Sequence, residues 1–321
     1  MTPHPIVIAH RGASGYRPEH TRAAYELAFA LGADAVEPDI VATKDRVLVV
    51  RHENEISGTT DVSSHPEFAD RRTTKTIDGE KLSGWFTEDF TWAELSTLRA
   101  RERLPKVRPA NVAFDDVQGI LRLGDLLGLL ETVGRPVTMV AEIKHATYFA
   151  SIGMPLGELF AAELTAAGWA HDDRLVVESF EKSALLDIRE RGIGGRLVYL
   201  IDAKGAPADG GAPYAECLTE TGLTAIAAEV DGISVHKRLL LPKDAHGLTT
   251  DLVARAHAAG LLVFCWTLRA ENKFLSKDLR RGGAASDFGS WPREFALLMA
   301  TGLDGVFADQ PDLAIEARGR L

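Results

Sequence analysis

Short apolar runs that stop on ionisable residues recur along this chain. Val7-Ile8-Ala9 ends in His10-Arg11-Gly12, Ala35-Val36 ends in Glu37-Pro38-Asp39, and Leu48-Val49-Val50 ends in Arg51-His52. Runs of this length, bounded by glycine or charged turns, predict buried strands. A buried strand that stops on His-Arg, Glu-x-Asp or Arg-His delivers reactive groups to one rim of a sheet. Side chains at i and i+2 share a strand face, so Glu37 and Asp39 point the same way. Two carboxylates on one face repel each other unless a cation or protons lie between them. A divalent-metal site with acid/base histidines beside it is therefore the first expectation.

The same patterning divides the rest of the chain. Strand Ile6 to His10 leads through a Gly-rich loop into a helix over Thr21 to Leu31, with Thr21 as N-cap and Gly32 as stop. Strand Ala35 to Asp39 is followed so closely by Val47 to His52 that the two must form a hairpin, because a parallel crossover needs a dozen or more residues. An even turn centred on Lys44-Asp45 would set Glu37 opposite His52, and an odd one would move His52 to the other face. From Glu53 to about Leu121 the pattern is irregular, polar and aromatic, too long for an ordinary loop. It is expected to be an inserted subdomain over the site, with a helix near Trp92 to Ala100. Its Trp85, Phe86 and Phe90 fit either a satellite core or a substrate-selecting lid. Regular alternation then returns, with strands at Val137–Glu142, Arg174–Ser179, Arg196–Ile201, Gly232–Val235, Leu262–Thr267 and Gly305–Ala308. With the hairpin strand set aside, eight strands alternate with helices. This is the pattern of an α/β (β/α)8 TIM barrel, whose active sites lie at the C-terminal strand ends. His10, Glu37, Asp39, Glu142, Lys144 and Trp266 all fall there. No repeat or linker calls for a second independent domain, so residues 1–321 are expected to form one domain with an insertion at about 53–121.

Composition narrows the function classes. Hydrophobic content of 45% and charged content of 26% are those of a soluble globular protein. A net charge of −10 disfavours nucleic acid or an anionic membrane as partner. No segment approaches the ~20 apolar residues that span a bilayer, so stable membrane insertion is not expected. The first strand begins almost at Met1, leaving no room for a leader, so the chain as it stands reads as cytoplasmic; a replaced leader would make it exported. The two cysteines, Cys217 and Cys265, have no metal-ligand spacing and are expected to remain free. Assembly with further copies of the same chain is compatible with the sequence.

From pattern alone, Glu37, Asp39 and Glu142 fit equally the oxygen ligands of a hard cation and carboxylates ion-paired at the barrel rim. His10-Arg11-Gly12, Pro18-Glu19-His20-Thr21, Glu37-x-Asp39, His52 and Glu142-Ile143-Lys144 together resemble the glycerophosphodiester phosphodiesterase family. The resemblance continues through Trp266-Thr267 and Asp304-Gly305-Val306-Phe307-Ala308-Asp309-Gln310-Pro311. One departure is His20, where many members carry Asn. The resemblance implies the same barrel and insertion, and one divalent cation, Mg²⁺ or Ca²⁺, on Glu37, Asp39 and Glu142. It also implies catalysis by His10 and His52, with phosphate held by Arg11 and Lys144. Trp266 would pack against glycerol or the metal-site wall, though a barrel-core aromatic needs no such role. The implied reaction is hydrolysis of a small glycerophosphodiester to sn-glycerol 3-phosphate and an alcohol. The attacking group would be water or the substrate's own glycerol hydroxyl. Two rivals share the pattern: a phospholipase-D-like enzyme acting on lysophospholipid or sphingomyelin, and a non-catalytic phosphate- or metal-binding barrel. The first expects apolar surface around the site. The second expects loss of a catalytic histidine or metal carboxylate, and none is lost. Of the other histidines, His145 is a candidate for the pocket wall, while His20, His236 and His257 are expected to be structural or superficial. Glu19 lies within reach of the site.

Overall fold

Twelve strands appear in the computed structural model, which describes residues 4–242 and 247–321. They are β1 (Ile6–His10), β2 (Ala35–Glu37), β3 (Asp39–Ala42), β4 (Leu48–Val50), β5 (Thr73–Ile77), β6 (Glu80–Gly84), β7 (Thr138–Ile143), β8 (Leu175–Ser179), β9 (Arg196–Ile201), β10 (Gly232–His236), β11 (Leu262–Leu268) and β12 (Gly305–Ala308). The parallel order β2-β1-β12-β11-β10-β9-β8-β7 returns on itself, because β2 also pairs with β7. β2 and β3 make one stave. Both keep the same register against β7, with Ala35 opposite Thr138 and Asp39 opposite Glu142. Pro38 interrupts the stave because it has no N–H to donate, yet its carbonyl still accepts the Glu142 N–H at 2.9 Å. The result is a closed eight-stave barrel with helices outside it, the expected α/β architecture.

Local signals set most boundaries. The Thr21 hydroxyl accepts the Ala24 N–H and caps the helix Arg22–Ala30, and Gly32 ends it at φ +86°. The helix expected over Trp92 to Ala100 shrinks to Trp92–Leu95, held by a Thr91/Glu94 capping box. Beyond it the chain bends into bridges, Ala100 to Thr60 and Arg99 to Gly119, that bind the insertion together.

Strand parity places the chemistry. Ile8, Ala35, Val140, Val176, Val198, Phe264 and Phe307 meet inside the barrel as a small apolar plug. Two residues further along the same strands, on the same face, come His10, Glu37, Glu142, Glu178, Leu200, Trp266 and Asp309. The site is the next layer above the plug. Cross-strand pairs confirm the level, with His10 opposite Glu37 and Glu142 opposite both Asp39 and Glu178.

The hairpin register differs from the even-turn expectation. Ile40 pairs with Val50 and Ala42 with Leu48, around a five-residue turn in which Arg46 takes φ +64°. Glu37 does not face His52 across a ladder. An unbroken strand in this register would turn His52 away from the site, but the ladder stops at Val50. After the Arg51 N–H donates to the Asp39 carbonyl at 2.9 Å, the backbone leaves the sheet and carries the imidazole to the barrel mouth.

The insertion is packing rather than lid where its aromatic residues are concerned. Phe86 and Phe90 are fully buried, and Phe68, Phe90, Leu95 and Leu98 join the main hydrophobic core with half-buried Trp85 against it. None of Trp85, Phe86 or Phe90 lines the large cavity at the mouth. That cavity is walled by the loops after β8 to β11.

Candidate active site

The first loop is built around a strained turn. Arg11 sits in the left-handed region at φ +60°, costly for a residue with a Cβ, and its N–H donates to Glu37 Oε2 at 2.7 Å. Gly12 follows at φ +77°, where a Cβ would come within 2.7 Å of the Ala24 backbone, so only glycine fits between loop and helix. The turn aims the Arg11 guanidinium inward. Its Nη1 donates to Glu19 Oε2 at 3.0 Å, and its Nε lies 3.4 Å from Asp39 Oδ2.

Three carboxylates, Glu37, Glu142 and Glu178, each offer an oxygen within 4.8 Å of the other two. All three are buried. Burial first, and then neighbouring carboxylates, push Glu37 and Glu178 well above the usual range. Glu142 is pushed up to about 8 by burial and Asp39, against the pull of Lys144. Carboxyls so disposed take up protons or a cation. A buried oxygen-only donor set suits a hard divalent ion. Asp39 Oδ1 and Glu178 Oε2 are both buried without a hydrogen-bond partner, which leaves acceptor capacity aimed into the cluster. The donor set fits a divalent cation.

Asp39 stands beside this trio with different company. His20 Nε2 is 2.7 Å from Asp39 Oδ2, and His20 Nδ1 is 2.9 Å from the Tyr25 hydroxyl. Burial lowers the His20 pKa, and Nε2–H donates to the carboxylate, while the Tyr25 hydroxyl beside Nδ1 also reaches the Glu37 carbonyl at 3.2 Å. Despite its own burial, Asp39 is held well below the usual range by His52, Lys144, His20 and Arg11. His20, expected to be structural or superficial, thus sits in the site and orients Asp39.

Each of the two catalytic candidates stands beside a carboxylate. His10 Nδ1 lies 2.6 Å from Asp309 Oδ1, and His52 Nδ1 lies 2.6 Å from Glu53 Oε1. Donation from His10 Nδ1 to Asp309 leaves its Nε2 as the working nitrogen, whereas His52 Nδ1 stands at ion-pair distance from Glu53 without a hydrogen bond. Burial and Arg11 lower His10 to about 4, and burial, Arg11 and Lys144 lower His52 to about 3. Both rings are neutral at pH 7 before substrate arrives. Lys144 Nζ donates to Glu142 Oε1 at 2.7 Å, lies 3.4 Å from His52 Nε2, and is raised to about 12 by Glu142 and Asp39 despite burial. Arg11, Lys144, His10, His52, Glu37, Glu142 and Trp266 line one cavity of about 990 Å³. Trp266 donates Nε1–H to the Ser234 carbonyl at 3.2 Å and meets Phe180 and His236 edge-on.

Several working residues escaped sequence reasoning. Glu178 ends a Leu-Val-Val run as Glu142 ends its own, so strand parity could have found it. His236 lines the cavity, contrary to the structural or superficial role expected of it. His145 instead reaches Asp78 in the insertion at 2.5 Å, outside the cavity wall. His257 pairs with Asp304 at the surface, as expected. Arg103 had no signal at all. From the insertion it donates to both oxygens of Glu19 and both of Glu53, tying together the acids that hold Arg11 and His52.

Asp309 is itself held by Arg108 Nη2 at 2.5 Å and Arg269 Nε at 2.7 Å. Asp309→Asn keeps the size but removes the charge that fixes the His10 tautomer. It is expected to lower kcat by at least ~10-fold with little change in KM. An unaltered kcat in a variant of normal thermal midpoint would reduce Asp309 to packing.

A barrel mouth that gathers an acid cluster fit for a divalent cation, two imidazoles beside carboxylates and the cations Arg11 and Lys144 holds the groups that a hydrolase of phosphate esters would use. The family model described as "Glycerophosphoryl diester phosphodiesterase family" matches residues 10–313. A glycerophosphodiester phosphodiesterase of Arabidopsis thaliana is 32% identical over 326 residues, covering 96% of this chain and 84% of that protein. A Bacillus subtilis glycerophosphodiester phosphodiesterase is 24% identical, covering 96% and 84%. The solved structure of an Oleispira antarctica phosphodiesterase in complex with the product sn-glycerol-3-phosphate shares the fold, with a TM-score of 0.63 at 21% identity over 98% of this chain and 96% of that one. The chain belongs to the glycerophosphoryl diester phosphodiesterase family.

Proposed function

We propose that the chain hydrolyses glycerophosphodiesters to sn-glycerol 3-phosphate and an alcohol, using Mg²⁺ or Ca²⁺. The observation that carries this is the convergence of His10, His52, Arg11, Lys144 and the Glu37/Glu142/Glu178 cluster on one cavity. Glu37 and Glu142 would hold the cation, with Asp39 or Glu178 completing the set. A cation bound there would draw charge from a phosphoryl oxygen and ease attack at phosphorus. Arg11 and Lys144 bind the non-bridging oxygens, Arg through its planar fork and Lys as a point charge. The bound phosphate is an anion, so it draws both histidine pKa values upward from their low resting positions. One imidazole takes the proton of the attacking hydroxyl while the new P–O bond forms; where that hydroxyl is the substrate's own, the cyclic phosphate produced is then opened by water. The other, protonated at Nε2, gives its proton to the alcohol oxygen as the old P–O bond breaks.

The Oleispira antarctica structure supports the product assignment. The lysolipid reading expects apolar surface round the site. The large exposed hydrophobics, such as Val117, Leu248 and Phe288, are not among the residues that line the cavity. Among the described residues no helix is long and apolar enough to cross a membrane. Incubation with glycerophosphocholine is expected to release glycerol 3-phosphate, detected by a coupled dehydrogenase. Release of glycerol and phosphocholine instead would place the scissile bond on the other side of phosphorus.

A further inference from the structure

We infer that the outer half of the cavity selects diesters whose leaving alcohol carries a second anionic group, with a phosphate monoester the strongest case. The inference rests on the phosphodiesterase reading above and names a substrate class for the same site. Above the layer of Phe180, Trp266 and His236 the wall changes character. Lys204 stands on the loop after β9, Arg238 after β10, and Lys273 and Arg280 on the loop after β11; all four line the cavity. Among the described residues none of the four forms an ion pair with a carboxylate. The two deeper cations do: Lys237 with Glu294 at 2.7 Å, and Arg269 with Asp309 at 2.7 Å.

Arg238 is the fixed member. Its Nη1 donates to Ser276 Oγ at 2.6 Å and its Nη2 to the Phe274 carbonyl at 3.1 Å. These contacts leave further N–H groups of its five-donor guanidinium to serve an anion. Among the described residues Asp202 is the one acid on this part of the wall, and it already accepts the Ala203 N–H at 2.5 Å.

A cationic alcohol such as choline would need acids or free aromatic faces. The Phe180 and Phe274 rings already have cations beside them. Lys144 lies 5.7 Å from the Phe180 ring centre, and Arg269 and Lys273 lie 4.6 and 5.8 Å from that of Phe274. Four cations without a carboxylate partner among the described residues, around one mouth of a chain of net charge −10, repel one another until an anion sits among them. The reacting phosphate is already provided with Arg11 and Lys144, each one residue past the end of its strand, so the cations further out on the loops after β9, β10 and β11 face the far end of the substrate.

The test compares substrates that share the reacting phosphate: glycerophosphoinositol 4-phosphate, glycerophosphoinositol and glycerophosphocholine. For the full chain, kcat/KM is expected to be about tenfold or more higher for the phosphorylated inositol than for the neutral one, as charge-assisted hydrogen bonds allow. Glycerophosphocholine is expected to be the poorest of the three. In Arg238→Gln, and separately in the exposed pair Lys204→Gln/Lys273→Gln, the ratio of phosphorylated to neutral substrate should fall toward unity. A wild-type ratio at or below unity, or a ratio unmoved in both variants, overturns the inference. Glycerol 3-phosphate released from all three without preference defeats this inference alone, whereas none from any of them defeats the phosphodiesterase reading and this one with it.

Discussion

Replacing His10 or His52 with alanine is expected to lower kcat by at least the ~10²-fold typical of losing a general acid or base. His10 Nδ1 is hydrogen-bonded to Asp309 and His52 Nδ1 lies beside Glu53 at ion-pair distance, while each ring lines the cavity. Neither imidazole is part of the Glu37/Glu142/Glu178 cluster. Cation affinity, read by titration calorimetry, should therefore change little in either variant, and KM should move less than kcat. The two histidines lie on different elements, β1 and the segment leaving β4, so a shared folding defect would not explain a loss in both. A near-normal kcat in either variant would return that histidine to a structural role. If His52 alone proved dispensable, its escape from the hairpin ladder would have no catalytic meaning.

Exhaustive chelation is expected to abolish release of glycerol 3-phosphate, and Mg²⁺ or Ca²⁺ should restore it. The carboxyls that would hold the ion are driven upward in pKa by burial and mutual repulsion, which a divalent charge relieves. Thiol reagents should leave activity intact, because Cys217 and Cys265 line no part of the cavity. Glu142→Gln removes a ligand common to both candidate sets and should weaken cation binding whichever is used. Asp39→Asn and Glu178→Gln then separate them. The family resemblance favours Asp39, whereas the clustering of oxygens favours Glu178. Full turnover after complete metal removal would sink the cation assignment altogether.

The hydrophobic pattern carried the fold. Eight apolar runs bounded by charged or glycine turns are enough for a closed parallel barrel, since buried strands joined by helices have few other ways to hide both faces. Parity along those runs carried much of the site. His10, Glu37 and Glu142 each stand two residues beyond a plug residue, and Glu178 obeys the same rule although it was not singled out. Short-range chemistry was legible too, in the Thr21 cap and the Gly12 and Gly32 turns.

Tertiary structure decided whatever depended on where a strand ends or on which distant segments meet. The β3–β4 ladder takes the register that should hide His52, and only the departure of the backbone after Val50 returns the ring to the mouth. No periodicity records such an exit. Asp309 reaches His10 because barrel closure sets β12 beside β1, bringing the two residues together across 299 positions of sequence. Arg103 ties Glu19 to Glu53 from a segment without regular pattern, and the aromatic residues of that segment turn inward to the core. The cationic outer wall is likewise assembled from three separate loops whose residues look, one at a time, like ordinary solvated charges. A sequence specifies its strands through local burial, but charges meet through closure of the barrel, and closure joins residues that no local rule relates.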